Sequence, residues 1–148
     1  MAVAPMTTIH RTALVAHSAA RMFELVNDVA AYPRRFDWCH QAQVLESGEN
    51  HVVARLDLGL GALKTWFTTR NTFTAPEHID LALVDGPFRK LSGRWEFTAL
   101  EESASRISLT LKFEPAIRLL GPAMAIGFQR LADRMVADFI RAADRDPS

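Results

Sequence analysis

Five histidines, one cysteine and a few inward-facing polar residues are the side chains through which this chain could do chemistry, and their spacing limits what they can do. His10, His17, His40, His51 and His78 never recur at the i,i+4 spacing of a helix face or the i,i+2 spacing of a strand face, so no metal site is expected. Cys39 and His40 are chain neighbours and point different ways. A thiol nucleophile needs a histidine and an orienting carboxylate beside it; nothing brings them to Cys39, which reads as a buried structural thiol next to Trp38. Gly59-Leu60-Gly61 and Asp85-Gly86-Pro87-Phe88 are turn chemistry, and neither opens a helix, so neither cradles a phosphate. Gly121 and Gly127 lack the Gly-Lys-Ser/Thr of a nucleotide loop. An enzymatic reading is left with Asn71, Arg94 and Glu96 as polar candidates, and strand alternation turns the last two outward. The expectation is a protein without catalytic residues, metal or cofactor, with a cyclase-like or hydrolytic enzyme ranked last.

What remains is apolar and cationic. Residues 79–97 read as two alternating strands joined by a turn. Ile79, Leu81 and Leu83 share one face of the first, and Leu91, Trp95 and Phe97 share one face of the second. Gly93 lies between Leu91 and Trp95 on that face, which leaves room where a side chain is expected. The room is either the seat of a docked helix or a cavity. Large residues elsewhere, among them Phe67, Phe73, Phe88, Phe113, Phe128 and Phe139, favour packed core, while Met124 and Met135 would suit a deformable cavity wall. Arg34, Arg35, Lys64, Arg70, Arg89, Lys90 and Arg94 read first as a solvated face and second as a surface for an anionic partner such as RNA.

The elements that position these residues follow from periodicity. Thr7–Val15 is a strand, and Ser18 caps a helix that Pro33 ends by pushing Tyr32 out of helical conformation. Strands follow over residues 41–47, 52–60, 63–73, the 79–97 hairpin and 107–113. Pro122 opens a helix that runs to about Asp144, with Met124, Phe128, Leu131, Met135 and Phe139 in one stripe and Arg134 paired to Asp138 on the opposite side. Short connections imply an antiparallel meander whose apolar face the last helix covers. The fold class is α+β, one curved antiparallel sheet gripping a long C-terminal helix.

Composition agrees. At 148 residues, residues 1–148 form one domain, ordered over about 7–144, with residues 1–6 a flexible extension and Met1 or Met6 the start. Seventeen basic residues balance seventeen acidic ones, so the molecule has no net pull toward DNA. The single cysteine suits a reducing compartment. The N-terminus lacks a signal-peptide pattern and no run approaches ~20 apolar residues, so a cytoplasmic protein that does not span a membrane is expected.

Five segments in order carry a family resemblance: Y-P-R-R-F-D-W-C at 32–39, F-T-T-R-N at 67–71, G-P-F-R-K-L-S-G-R-W-E-F at 86–97, L-K-F-E-P at 111–115 and M-V-A-D-F-I-R-A-A at 135–143. From about Thr8 to Ala143 the chain resembles the bacterial RatA-like ribosome-association toxins and the related coenzyme Q-binding START-like proteins of mitochondria. The resemblance implies the helix-grip (START-like, polyketide cyclase-like) fold, with an apolar tunnel between sheet and helix. It implies, for one branch, binding of ubiquinone or a related isoprenoid quinone or lipid in support of respiration, at the periphery of the inner membrane. For the other it implies binding of the large ribosomal subunit and hindrance of subunit association. Quinone binding is the leading expectation and the ribosome the alternative. A quinone tail would lie against Leu81, Leu83, Trp95, Phe113, Met124, Phe128 and Met135. Phe67, Phe88, Leu91, Phe97, Leu109, Leu111 and Leu131 would extend the tunnel wall, and Tyr32 and Trp38 would border its opening. The family commonly has Y-P-x-F-L-P-W-C, so Arg35 and Asp37 add charge at that opening. A ribosomal partner would meet Lys64, Arg70, Arg89, Lys90 and Arg94.

Overall fold

The computed structural model describes residues 6–145; most of the expected N-terminal extension lies outside them. Seven strands form one antiparallel sheet in the order β1-β7-β6-β5-β4-β3-β2. They are β1 (Thr7–Val15), β2 (Cys39–Ser47), β3 (His51–Leu60), β4 (Leu63–Thr74), β5 (His78–Asp85), β6 (Phe88–Glu101) and β7 (Ala104–Pro115). The meander from β2 to β7 follows from its short connections. β1 closes the far edge by pairing with β7 from Thr7↔Phe113 to Val15↔Ser105. The strands alternate faces: in β7, Ile107, Leu109 and Phe113 are buried between more exposed neighbours.

The long helix α3 (Gly121–Arg145) lies across the apolar face. Its buried stripe is Phe128, Leu131, Ala132, Val136, Phe139 and Ala143; Met124 and Met135, expected in that stripe, are only partly buried at its margin. Gly127 permits the close approach of helix to sheet, since a Cβ there would stand 3.0 Å from Leu63 Cβ.

The segment between β1 and β2 departs from expectation. Ser18 caps α1 (Ala19–Asn27) as expected, its side chain accepting the Arg21 N–H at 3.1 Å. The helix then stops at Asn27, and a 3₁₀ turn (Val29–Ala31) leads into a one-turn helix α2 (Tyr32–Arg35). Tyr32 is itself helical (φ −54°, ψ −46°), so Pro33 does not force it out. Proline falls in the first turn of α2, where its missing N–H has no partner to lose.

That segment is pinned to α3 by a buried carboxylate. Trp38 Nε1–H donates to Asp138 Oδ2 at 3.0 Å, Arg134 Nε–H donates to the same oxygen at 3.1 Å, and Arg141 donates to Oδ1. Arg134 also reaches Asp37 at 3.1 Å. The Arg134–Asp138 pair is thus present, but Asp138 faces inward rather than solvent, because its second partner is an indole. Asp138→Ala should lower the unfolding free energy by about 3 kcal/mol, since it strands a buried donor and removes the counter-charge of two arginines. Asp138→Asn, which keeps an acceptor for the indole, should cost less; urea denaturation of both variants measures the difference.

Candidate functional site

The inward row of β4 is Leu63, Thr65, Phe67, Thr69 and Asn71, and the facing rows of β5, β6 and β7 place Leu81, Gly93, Trp95, Leu109 and Leu111 beside it. Under Gly93 the face is not filled. A Cβ there would touch Leu111 Cδ1 and Leu81 Cδ1 at 3.4 Å, so these side chains lean into the gap without closing it. The gap opens into a cavity of about 60 Å³, floored by the sheet and roofed by Phe128, Leu131 and Met135 of α3. Val26, Asn27 and Val29 close one side. This volume holds a few waters and is well below the roughly 300–1,000 Å³ of typical small-molecule sites.

Two amide side chains, Asn27 and Asn71, line the cavity. Asn71 is buried and its Oδ1 accepts the Thr69 hydroxyl at 2.6 Å. Its amide N–H groups are the donors left to meet an oxygen within the cavity.

A second, outer groove of about 380 Å³ lies between the β3–β4 turn and the first turns of α3. Leu63, seated on Gly127, lines the groove and not the cavity, while Phe67 and Phe128 line the cavity and not the groove. The Leu63–Gly127 contact therefore separates the two spaces.

Of the expected tunnel residues, Tyr32, Phe67, Leu81, Trp95 and Leu109 line the cavity, as do Leu111, Phe128, Leu131 and Met135. Met124 lines the outer groove instead. Leu91 and Phe97 are buried core, as are Phe88 and Phe113, whose rings pack together at 6.3 Å; Leu83 is partly buried against that core. Trp38 and Tyr32 do not border an opening. Trp38 is fully buried, stacked on Phe36 at 4.9 Å and tied to Asp138. Tyr32 donates its hydroxyl to the Val26 carbonyl, and burial pushes its phenol well above the usual range. Arg35 and Asp37, expected at the same opening, line neither space; Arg35 lies 3.6 Å from Asp28 and Asp37 holds Arg134. Leu56, Leu58, Val26 and Val29 are not among the expected lining residues, although clean alternation in β3 and helical spacing in α1 put the first three on inward faces; Val29 lines the cavity from the 3₁₀ turn that follows α1.

Among the described residues no carboxylate, histidine, lysine or arginine lines the cavity. The histidines lie apart: His10 reaches Thr110, His17 pairs with Asp144 and His51 with Glu46. Cys39 is buried, and burial, the largest influence, pushes its thiol up to about 11, which keeps it protonated and unreactive near neutral pH. Among the described residues no helix is long and apolar enough to cross a membrane.

The expected partner residues divide in two. Arg94 is neutralised by Asp80 at 3.1 Å and Glu96 at 2.9 Å, and Arg70 by Glu46 at 3.4 Å. Lys64, Arg89 and Lys90 are exposed and make no ion pair among the described residues. They stand at one end of the sheet, beside the β3–β4 and β5–β6 turns.

Residues 15–140 match the model of the family described as polyketide cyclase / dehydrase and lipid transport. The chain is 42% identical over 138 residues to the ribosome association toxin RatA of Vibrio cholerae serotype O1, covering 93% of this chain and 96% of that protein. It is 42% identical over 140 residues to the persistence and stress-resistance toxin PasT of Escherichia coli O6:H1, covering 94% and 89%. Among solved structures the Zhui aromatase/cyclase of Streptomyces superimposes with a TM-score of 0.89 over 97% of both chains at 19% identity, a likeness of fold. With the sheet gripping α3, the matched motifs and these relatives together, the chain belongs to the polyketide cyclase/dehydrase and lipid transport family and, within it, to the RatA-like proteins.

Proposed function

We propose that this protein is a non-enzymatic, cytoplasmic ribosome-associating factor that docks on the RNA of the large subunit. One observation carries the reading: the cations Lys64, Arg89 and Lys90, which have no ion-pair partner among the described residues, are collected at a single end of the sheet. In a meander, alternate turns lie at opposite ends. The β2–β3, β4–β5 and β6–β7 turns bring Glu49, Glu77, Glu101 and Glu102 to one end. The β3–β4 and β5–β6 turns bring Lys64, Arg89 and Lys90 to the other, against Asp85 and the buried Glu114. A molecule of zero formal charge thereby offers a positive end to phosphate. That the RatA relatives are named ribosome association toxins supports this reading. Co-sedimentation with purified large subunits at low salt should show association that falls steeply as salt rises. Arg89→Glu with Lys90→Glu should reduce it at least tenfold and lower the log–log salt slope by about 1 for each phosphate no longer neutralised. Absence of association at low salt overturns the proposal.

A second reading, favoured by the buried Asn71 amide in a largely apolar cavity wall, is uptake of ubiquinone or another isoprenoid quinone, with Asn71 donating to a quinone carbonyl. At about 60 Å³ the cavity must widen first, and Leu63 is the side chain whose movement would join it to the outer groove. Mass spectrometry of an organic extract of the purified protein should then find quinone, and Phe128→Asp should abolish its uptake. Unchanged uptake in that variant would rule out the cavity.

A further inference from the structure

We propose that the outer face of the sheet carries a stacking platform for unpaired RNA bases, centred on Trp66. Trp66 shares the outward parity of β4 with Lys64, on the side opposite the row that packs on α3. It is only partly buried, so its indole presents a π-surface that the core does not use.

Planar groups and cations alternate around this ring. In register Trp66 lies opposite Asp57 of β3, which puts Arg55 at the diagonal position. The Arg55 guanidinium lies over the indole, 4.1 Å from the ring centroid. Arg55 Nε–H donates to Asp57 Oδ1 at 3.0 Å, which holds the guanidinium in place and offsets its charge. Arg55 thus serves as a plane more than as a cation. Gly59, on the outward parity of β3 and opposite Lys64, has no side chain, and the exposed His40 of β2 takes its space: a Cβ there would stand 2.5 Å from His40 Cε1. On the other flank the β5–β6 turn comes against β4. Gly86, at φ +146°, lies so close that a Cβ would stand 3.2 Å from the Trp66 carbonyl oxygen. That turn leads directly into Arg89 and Lys90.

That combination selects the ligand. Single-stranded RNA offers phosphates to the cations and unstacked bases to the planes, and bases stack on aromatic rings and on guanidinium groups alike. A duplex keeps its bases inside the helix and uses only the cations. An apolar ligand gains nothing from a ring capped by a guanidinium. The platform rests on the RNA-docking reading and narrows its partner to an unpaired segment, a loop or a bulge, of ribosomal RNA. It adds Trp66, Arg55 and His40, none of which that reading uses.

Fluorescence anisotropy of the full chain with a labelled single-stranded RNA of about ten nucleotides tests it, against an abasic strand of equal length and charge and an RNA duplex. The base-bearing strand should bind at least about fivefold tighter than either control. Trp66→Ala should weaken it about tenfold and remove the preference over the abasic strand, with the salt slope unchanged, because stacking neutralises no phosphate. Trp66→Phe, which keeps a ring, should retain most of that preference. Arg89→Glu with Lys90→Glu should do the converse, lowering the salt slope while the preference for bases stays. Circular dichroism confirms that each variant is folded, and the abasic comparison on the unaltered chain needs no variant. Equal binding of base-bearing and abasic strands, a duplex bound as tightly as the single strand, no binding of either strand, or an intact preference in Trp66→Ala would each overturn the platform. Co-sedimentation with large subunits is scored separately. Association that persists without base preference removes the platform and leaves the docking reading; base-dependent binding without subunit association does the reverse.

Discussion

One helix cannot cover seven strands, and the rest of the structure follows from that constraint. Strands spaced about 4.8 Å apart make a face some 30 Å wide, whereas a helix with its side chains is about 10–12 Å across. The sheet must curl toward α3, and the flanks that α3 does not reach must be filled by something else. α1 and the Tyr32–Trp38 segment do this with rings: Phe23 lies edge-on to Phe97 at 5.6 Å, and Phe36, Trp38 and Tyr32 surround Phe139. The fill is incomplete below Gly93, where the face lacks a side chain. The cavity is thus the remainder of a covering problem, bounded by whichever aliphatics lean furthest into it.

The same constraint explains why a carboxylate is buried. The Tyr32–Trp38 segment has to be held against a helix, and apolar contact alone leaves the indole N–H without water. Asp138 supplies the acceptor, and Arg134 and Arg141 offset the cost of removing its charge from solvent. Two of the arginines on α3 are consumed by this clasp. Arg130, one turn nearer the N-terminus, is not, and with Lys64 it gives the groove end of the molecule its unpaired charge.

Much of this was legible in the residues. Alternation at Ile107, Leu109 and Phe113, or at Ala54, Leu56 and Leu58, has one physical meaning, so the meander and its inward face follow directly. The 25-residue helix and the family likewise follow from patterns local in the chain. Pairing between distant strands is not local. Arg94 and Arg70 look like free cations in one dimension and are neutralised by Asp80 on the next strand and Glu46 two strands away only because the register sets those residues near them. Trp38, amphipathic and next to charged residues, reads as a rim residue until Asp138 is found beneath it. Cavity size is least legible of all, since it depends on how far Leu81 and Leu111 reach under a glycine.

The small cavity also bears on how a ligand-gripping fold can serve as a docking body. An apolar void of about 60 Å³ costs on the order of 1–2 kcal/mol, little against the roughly 5–15 kcal/mol of a typical domain, so the fold stands without an occupant. Selection on the outside is then uncoupled from the inside. Residues on the outward parity of β4 and β6, Lys64 and Lys90 among them, can change charge without disturbing the row that packs on α3. The exception is the Leu63–Gly127 contact, where an inward strand residue, the helix backbone and the outer groove meet. Any change there moves the helix relative to the sheet, and with it both the inner cavity and the charged end.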